Sequence, residues 1–185
     1  MDGEERNALL TKNAPGFRDQ GRAISQFASR DCRVVVIANP ANTNCLVGMK
    51  CAANNIPSKN WTSLSRLDHE RLRGVVARLS TFEDGKQVLP SEVRNCLIFG
   101  NHSATQVPFV GAAQIKENGV WTPLGGGSFP TAHAKVMADI SRIIPTVQSR
   151  GAEVIRLQKA GSAFSAAKAI AHQIQVRTFS KTRSV

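Results

Sequence analysis

Three short segments carry the residue types with which this chain could do chemistry. In order they are residues 39–44 (NPANTN), 66–71 (RLDHER) and 100–103 (GNHS). Together they supply an amide, a carboxylate, a guanidinium and an imidazole. These groups can hold a hydroxy acid, accept its hydroxyl proton and let a hydride leave. The segments therefore indicate acid–base chemistry on a small organic acid.

Asp68 and His102 form the first candidate pair. An imidazole is the natural general base near neutral pH, and a carboxylate on its second nitrogen selects the tautomer and stabilises the imidazolium. On composition alone, any one of the four histidines is more often a surface or structural residue. His69, His133 and His172 keep that interpretation.

Arg71 and Asn39 each allow a structural and a functional interpretation. Arg71 lies three residues after Asp68, so on a helix the two can form an ordinary ion pair. Such a pair stabilises a helix by about 0.3 kcal/mol. The planar fork of Arg71 also suits a substrate carboxylate better than a lysine would. Asn39 is either a turn residue before Pro40 or an amide that contacts a ligand.

Alternating strands and helices must position these groups, which predicts an α/β fold. The apolar run 33–38 predicts a buried parallel strand whose carboxyl end opens into a functional loop. A hairpin is predicted over 114–120, with Asn118-Gly119 at its turn. The remaining predictions are strands at 62–67 and 93–99, helices at 43–54, 68–79 and 161–175, and a polar loop at 81–91.

Proline complicates two of the predicted helices. Residues 6–29 have helical spacing, but Pro15 costs about 3 kcal/mol in a helix interior, so the sequence predicts two helices that meet there or one damaged helix. Residues 128–150 are predicted to be helical until Pro145. Residues 176–185 are predicted to be a frayed, polar and basic tail.

Composition places the chain among ordinary globular proteins, with 42% apolar and 20% charged residues in 185. The acidic, polar start cannot be a secretory signal, and no apolar run is long enough to span a bilayer. The four cysteines form no CxxC pair, which predicts reduced thiols and no metal site.

Net charge is the unusual feature, because 24 basic minus 13 acidic residues leaves +11. Such a surplus suits nucleic acid or a membrane surface. The charges are scattered, however, without an aromatic stacking set or a nucleic-acid-binding motif. The sequence therefore predicts a solvated basic surface that attracts anions, with no specific nucleic-acid partner and no membrane partner.

At the segments NPANTN, RLDHER and GNHSATQ the chain resembles the malate dehydrogenase family, specifically its cytosolic type. The resemblance runs from about residue 2 to about residue 172 and implies a chain truncated at both ends. The implied fold is α/β, a partial Rossmann-type parallel sheet lacking its first βαβ unit, followed by part of the α+β substrate domain of the lactate/malate dehydrogenase fold. Residues 1–62 would form part of the NAD-binding domain, and residues 63–175 part of the substrate domain. Residues 176–185 would be a divergent tail.

The resemblance also implies roles for individual residues. His102 would be the proton acceptor, supported by Asp68. The substrate-binding residues would be Arg71 on the C1 carboxylate, Arg6 at the end of a mobile loop, Asn39 on the hydroxyl, and Ser162. The cofactor-binding residues would be Asn13, Gln20, Ile37, Ala38 and Asn39.

The implied reaction is the reversible, NAD-dependent oxidation of L-malate to oxaloacetate by a cytoplasmic homodimer. The sequence departs from that pattern in two ways. It contains no Gly-x-x-Gly-x-x-Gly turn for the pyrophosphate, since residues 125–127 read as a loop. The family's earlier substrate-selecting arginine is also absent.

Two alternatives stay open: a dehydrogenase for a related 2-hydroxy acid, such as an aromatic one, and a non-catalytic remnant or interaction protein.

Overall fold

The computed structural model describes residues 6–52, 55–100, 102, 105–124 and 135–179. The chain forms two compact units, Met1–Leu64 and Ser65–Val185. Each unit has its own cluster of buried apolar side chains, around Trp61 in the first and around Leu72 and Ile115 in the second.

The first unit is built on two parallel strands, in agreement with the predicted Rossmann-type pairing. Val34 pairs with Trp61 and Val36 with Ser63. The strands are three residues long, shorter than the predicted runs 33–38 and 62–67. The elements of this unit are α1 (Arg6–Phe27), β1 (Val34–Val36), α2 (Ala41–Cys51) and β2 (Trp61–Ser63).

Two glycines let α1, α2 and β2 approach one another closely. Gly21 on α1 is buried, and a Cβ there would collide with the carbonyl oxygen of Gly48 on α2. A Cβ on Gly48 would lie 2.9 Å from Cζ3 of Trp61. Because the interior is close-packed, neither position has room for a larger residue.

Of the two alternatives predicted for residues 6–29, the two helices that meet at Pro15 are wrong, because α1 runs through that residue as a single helix. Pro15 is exposed, and the next turns carry Phe17 and Ile24, which pack against the core of the first unit. Most helical stability in a folded protein comes from such packing, which here outweighs the local cost of the proline.

The second unit combines helices with short antiparallel strands, as expected for the α+β part of the implied fold. One sheet has the order β3-β6-β7, and a second sheet pairs β4 with β5. The elements are α3 (Arg66–Leu79), β3 (Val93–Arg94), β4 (Leu97–Phe99), β5 (Val107–Phe109), β6 (Gln114–Glu117), β7 (Val120–Pro123), α4 (Ile140–Gln158) and α5 (Ala163–Phe179).

The predicted single strand over 93–99 is wrong, and the predicted hairpin over 114–120 is confirmed. Asn95 has a φ of 58°, which turns the chain and sends β3 and β4 into different sheets. Between β6 and β7, Asn118 and Gly119 have φ values of 48° and 85°. Positive φ at both positions is the geometry of the tight turn that Asn-Gly favours.

The ends predicted for the last two helices are also wrong. α4 continues through Pro145 to Gln158, since Ile143 and Val147 on either side are buried in the core. α5 reaches Phe179 and so includes residues that were predicted to be a frayed tail. The predicted helix start at 128 and the loop at 125–127 lie outside the described residues.

All four cysteines are thiols, as predicted. Burial raises the pKa of Cys96 to about 12, against the opposing charge of Arg73, so this thiol stays protonated and inert. Within the described ranges, no helix has both the length and the apolar character needed to cross a bilayer.

Candidate active site

The second unit brings Asp68 and His102 into direct contact, 34 residues apart in the chain. Asp68 lies in the first turn of α3 and is only 2% exposed. His102 follows β4 and Gly100, whose φ of 80° turns the chain. Oδ2 of Asp68 is hydrogen-bonded to Nδ1 of His102. Because the carboxylate accepts a hydrogen bond from Nδ1–H, Nε2 is left with its lone pair.

Nε2 of His102 is available to a ligand. The side chain is 35% exposed, and Nε2 has no hydrogen-bond partner among the residues that the structure describes. A neutral imidazole fixed through Nδ1 and open at Nε2 has the geometry of a general base. The sequence-predicted pair is therefore assembled as a unit.

Arg71 uses the other oxygen of the same carboxylate. Its Nη1 donates to Oδ1 of Asp68 at 2.8 Å, and its side chain is only 11% exposed. The ion pair expected from the spacing thus forms, and Asp68 joins the base to the guanidinium. Nη2 and Nε of Arg71 make no hydrogen bond within the described part of the chain. These two donors lie on one edge of the planar group, as bidentate carboxylate binding requires.

Gly151 is a site residue that the sequence reasoning missed. A Cβ at this position of α4 would lie 3.7 Å from both Nη1 and Nη2 of Arg71. The backbone of α4 therefore passes next to the guanidinium without a side chain in between. The sequence offered no signal for it, because the helix predicted over 128–150 ends at Pro145 and Gly151 lies beyond it.

Glu70 and its cationic neighbours hold α3 in place beside the site. Arg73 donates to both carboxylate oxygens of Glu70, at 3.0 and 3.2 Å, and Arg66 lies 3.3 Å away. Burial acts to raise the pKa of Glu70, but the charges of Arg73 and Arg66 outweigh it and the pKa lies below its ordinary value. Arg73 Nε also donates to the carbonyl of Val93 at 2.8 Å, which links α3 to β3.

In the first unit, side-chain amides fix the segment that follows β1. Nδ2 of Asn13 donates to the carbonyl of Asn39 at 2.7 Å, and Nδ2 of Asn44 donates to the carbonyl of Ala38 at 3.0 Å. The Asn39-Pro40 peptide bond is cis. The side chain of Asn39 is exposed. The segment is therefore held by its backbone while its side chains face outward.

The other predicted ligand residues are placed as follows. Ile37 and Ala38 are exposed beyond β1, and Gln20 is exposed on α1. Ser162 precedes α5, where its carbonyl accepts from the amide of Ala166 at 2.9 Å. Arg6 begins α1, but its side chain is not described, and residues 3–5 and His133 lie outside the described residues.

The structure therefore groups the predicted residues into two sets. Asp68, His102 and Arg71 are in mutual contact through one carboxylate in the second unit. Asn13 and Asn39 are in contact in the first unit, together with the neighbouring residues beyond β1. Among the described residues, Ser162 makes no bond to the Asp68 carboxylate, and its carbonyl accepts a hydrogen bond from Oγ of Ser165 at the start of α5.

Residues 1–61 match the family described as lactate/malate dehydrogenase, NAD binding domain. Residues 65–185 match the family described as lactate/malate dehydrogenase, alpha/beta C-terminal domain. The chain belongs to the lactate/malate dehydrogenase family, and the resemblance inferred from its motifs is confirmed.

The curated relatives that the chain matches include cytoplasmic malate dehydrogenases. The chain is 40% identical to that of Rattus norvegicus and 39% identical to that of Homo sapiens, in each case over 179 residues. The match covers 94% of this chain and 48% of either relative. The chain thus spans about half the length of the curated relatives it matches.

Solved dehydrogenase structures share the fold. Malate dehydrogenase from Naegleria fowleri superposes with a TM-score of 0.75 at 33% identity, over 95% of this chain and 50% of that chain. Trichomonas vaginalis lactate dehydrogenase, in complex with NADH and oxamate, superposes with a TM-score of 0.77 at 25% identity, over 95% and 49%. The predicted fold class is therefore confirmed.

Proposed function

We propose that this chain carries the acid–base and carboxylate-binding residues of an NAD-dependent L-malate dehydrogenase. The observation that supports this most is the hydrogen bond between Asp68 and Nδ1 of His102, which leaves Nε2 open. The family membership and the cytoplasmic malate dehydrogenase relatives support the choice of reaction. By the same resemblance, the proposed enzyme is a cytoplasmic homodimer.

His102 is the group that moves the proton. In the oxidation of malate, Nε2 accepts the hydroxyl proton and the ring becomes an imidazolium. Asp68, buried and ionised beside it, stabilises that charge and keeps Nδ1 as the donor. In the reverse reaction the imidazolium returns the proton to the carbonyl oxygen of oxaloacetate.

Arg71 binds and orients the acid. Its Nη1 is engaged by Asp68, so Nε and Nη2 form the edge that receives the substrate carboxylate. Because one carboxylate holds both the base and this guanidinium, the two groups keep a constant relation to each other. Such preorganisation lowers the entropic cost of reaching the reactive geometry.

The residues beyond β1 fit the nicotinamide end of NAD. Ile37 is 46% exposed and offers an apolar surface, and the carbonyls of Ala38 and Asn39 are already bonded to amides. The flat face of the nicotinamide ring can therefore contact this segment without leaving a backbone acceptor unpaired. When bound, NAD supplies the acceptor for the substrate hydride.

A related 2-hydroxy acid is the second candidate substrate. The similarity to the Trichomonas vaginalis lactate dehydrogenase supports 2-hydroxy acids in general as candidate substrates. Asp68, His102 and Arg71 would contact only the hydroxyl and the carboxylate that all 2-hydroxy acids share. The residue that distinguishes one acid from another must contact the remainder of the substrate.

Turnover assays on the full chain test the proposal. NADH oxidation is followed with oxaloacetate, pyruvate and phenylpyruvate as substrates, for the native chain and for His102→Gln. Turnover that is fastest with oxaloacetate and lost in the variant supports malate dehydrogenase activity. A preference for phenylpyruvate would favour the aromatic alternative. No turnover with any acid, from a folded chain, would contradict catalysis and leave the interaction protein as the remaining hypothesis.

A further inference from the structure

A cleft of about 500 Å³ lies between α3, α4 and α5 in the second unit. Arg71 lines it, but Asp68 and His102 do not. The cleft therefore adjoins the candidate active site without containing its base. Its composition is unusual, because four of its lining residues are cations, Arg71, Arg78, Arg150 and Lys168, and a single one, Glu70, is an anion.

Two of these cations have no ionic partner among the residues that the structure describes. Arg71 is paired with Asp68, and Arg150 donates to Glu153 at 2.7 Å. Arg78 on α3 and Lys168 on α5 are exposed, and their side chains make no hydrogen bond or ion pair in the ranges that the structure describes. The cleft thus carries positive charge that an entering anion can neutralise.

Glu70 does not supply the missing negative charge. Its carboxylate is already engaged by Arg66 and Arg73, and His172 lies 3.4 Å from it. Glu70 is therefore paired with its own cations, and no ion pair within the described ranges joins it to Arg78 or Lys168.

The walls of the cleft are mainly apolar. Val75 on α3, Val147 on α4 and Ala169 on α5 contribute to them, and Val147 and Ala169 are almost fully buried. Gly74 also lines the cleft, and a Cβ built on it would meet no atom within 4 Å. The space in front of Gly74 is consequently open.

We propose that this cleft binds an amphipathic organic anion, specifically a carboxylate with a medium-length aliphatic chain. The chain lies along the apolar walls and fills the space at Gly74, while the carboxylate is bound by Arg78 and Lys168. A pocket of a few hundred cubic ångströms, with mostly apolar walls and a few directed polar groups, is the usual form of a small-molecule site, typically about 300–1,000 Å³. This assignment is independent of the reaction at His102.

Calorimetric titration of the full chain tests the assignment with octanoate as the probe, and with 1-octanol and acetate as controls for its two halves. We expect octanoate to bind at least about tenfold more tightly than either control, because only octanoate uses both the apolar walls and the cations. Octanol binding as tightly as octanoate would overturn the role of the cations, and acetate binding as tightly would overturn the role of the walls.

Two variants locate the site. The double variant Arg78→Gln with Lys168→Gln removes the two exposed cations and should weaken octanoate binding about tenfold or more. Lys116→Gln is the matched control. Lys116 lies on β6 beside Trp121, so its substitution should leave binding unchanged. Gly74→Leu fills the empty space, is favoured by helix propensity and should abolish binding. Undiminished binding in either cleft variant would overturn the proposal.

Discussion

The carboxylate of Asp68 binds Nδ1 of His102 through one oxygen and Nη1 of Arg71 through the other. A residue that is only 2% exposed thereby joins the imidazole to the guanidinium. A buried carboxylate is stable only when both oxygens are satisfied, and here they are satisfied by His102 and Arg71.

Replacing Asp68 by asparagine should change the tautomer of His102. The amide can donate to Nδ1, so the proton moves to Nε2 and the base loses its open lone pair. We expect kcat to fall by about 10²–10⁴-fold. Nitrogen-15 NMR of the imidazole reports the tautomer directly and does not depend on turnover.

Asp139→Asn is the control for this change, because Asp139 pairs with the exposed Arg142 at 3.9 Å and has no bond to His102 among the described residues. It should leave both kcat and the His102 tautomer unaltered. If Asp68→Asn leaves Nε2 unprotonated at neutral pH, the role of Asp68 in tautomer selection is wrong.

Arg71→Lys should weaken acid binding although it keeps the positive charge. A lysine can still pair with Asp68, but it cannot offer the two parallel donors of Nε and Nη2. A lost charged hydrogen bond costs about 1.5–3 kcal/mol, which corresponds to about 10–150-fold in kcat/KM. Steady-state kinetics with oxaloacetate measure it, and an unchanged kcat/KM would exclude Arg71 from carboxylate binding.

Two glycines on α1 should respond in opposite ways to the same substitution. Gly21→Ala places a Cβ against the carbonyl oxygen of Gly48, and overpacking of this kind costs about 1–3 kcal/mol. Gly16→Ala meets nothing within 4 Å and should stabilise the helix by up to about 1 kcal/mol. Urea unfolding measures both, and equal effects would show that α1 does not approach α2 as closely as described.

Stability should fall on mild acidification because of His69. Burial lowers the pKa of His69 and the charge of Arg66 lowers it further, against the opposing charge of Glu70. The folded-state pKa therefore lies below the ordinary value of 6.5, so the unfolded chain binds the proton more readily. The contribution of His69 is fully present above about pH 6.5 and is lost as the pH falls through the folded-state pKa.

The free energy of unfolding, measured between about pH 5 and pH 7.5, tests this dependence. His69→Gln has no titrating group at this position and should show a weaker decline towards acid than the native chain. An equal or steeper decline in the variant would mean that another group is responsible.

Local signals explain the parts of the fold that could be predicted. The valine-rich run at 34–36 and the Asn118-Gly119 turn each report a backbone preference that neighbouring residues reinforce. The residue types at 68, 71 and 102 likewise limited the chemistry, because few side chains can accept a proton near neutral pH or bind a carboxylate with two donors.

The errors arise where tertiary packing overrides a local signal. Pro15 and Pro145 lie inside continuous helices because the turns around them are buried. The apolar run over 93–99 predicts one strand, but the chain turns at Asn95. The two halves of the run therefore join different sheets. A preference worth a few kcal/mol, about 3 for proline, is smaller than the packing energy of a buried helix face.

The sequence by itself determined the family and the class of fold, and it limited the candidate acid–base groups to a few residues, since these depend on residue types and short spacings. Only the tertiary structure decided that one buried carboxylate serves both His102 and Arg71, and that Gly151 leaves room beside the guanidinium. Such contacts join residues that lie tens of positions apart. Their geometry is set by how helices and strands pack around a common core, which no local pattern encodes.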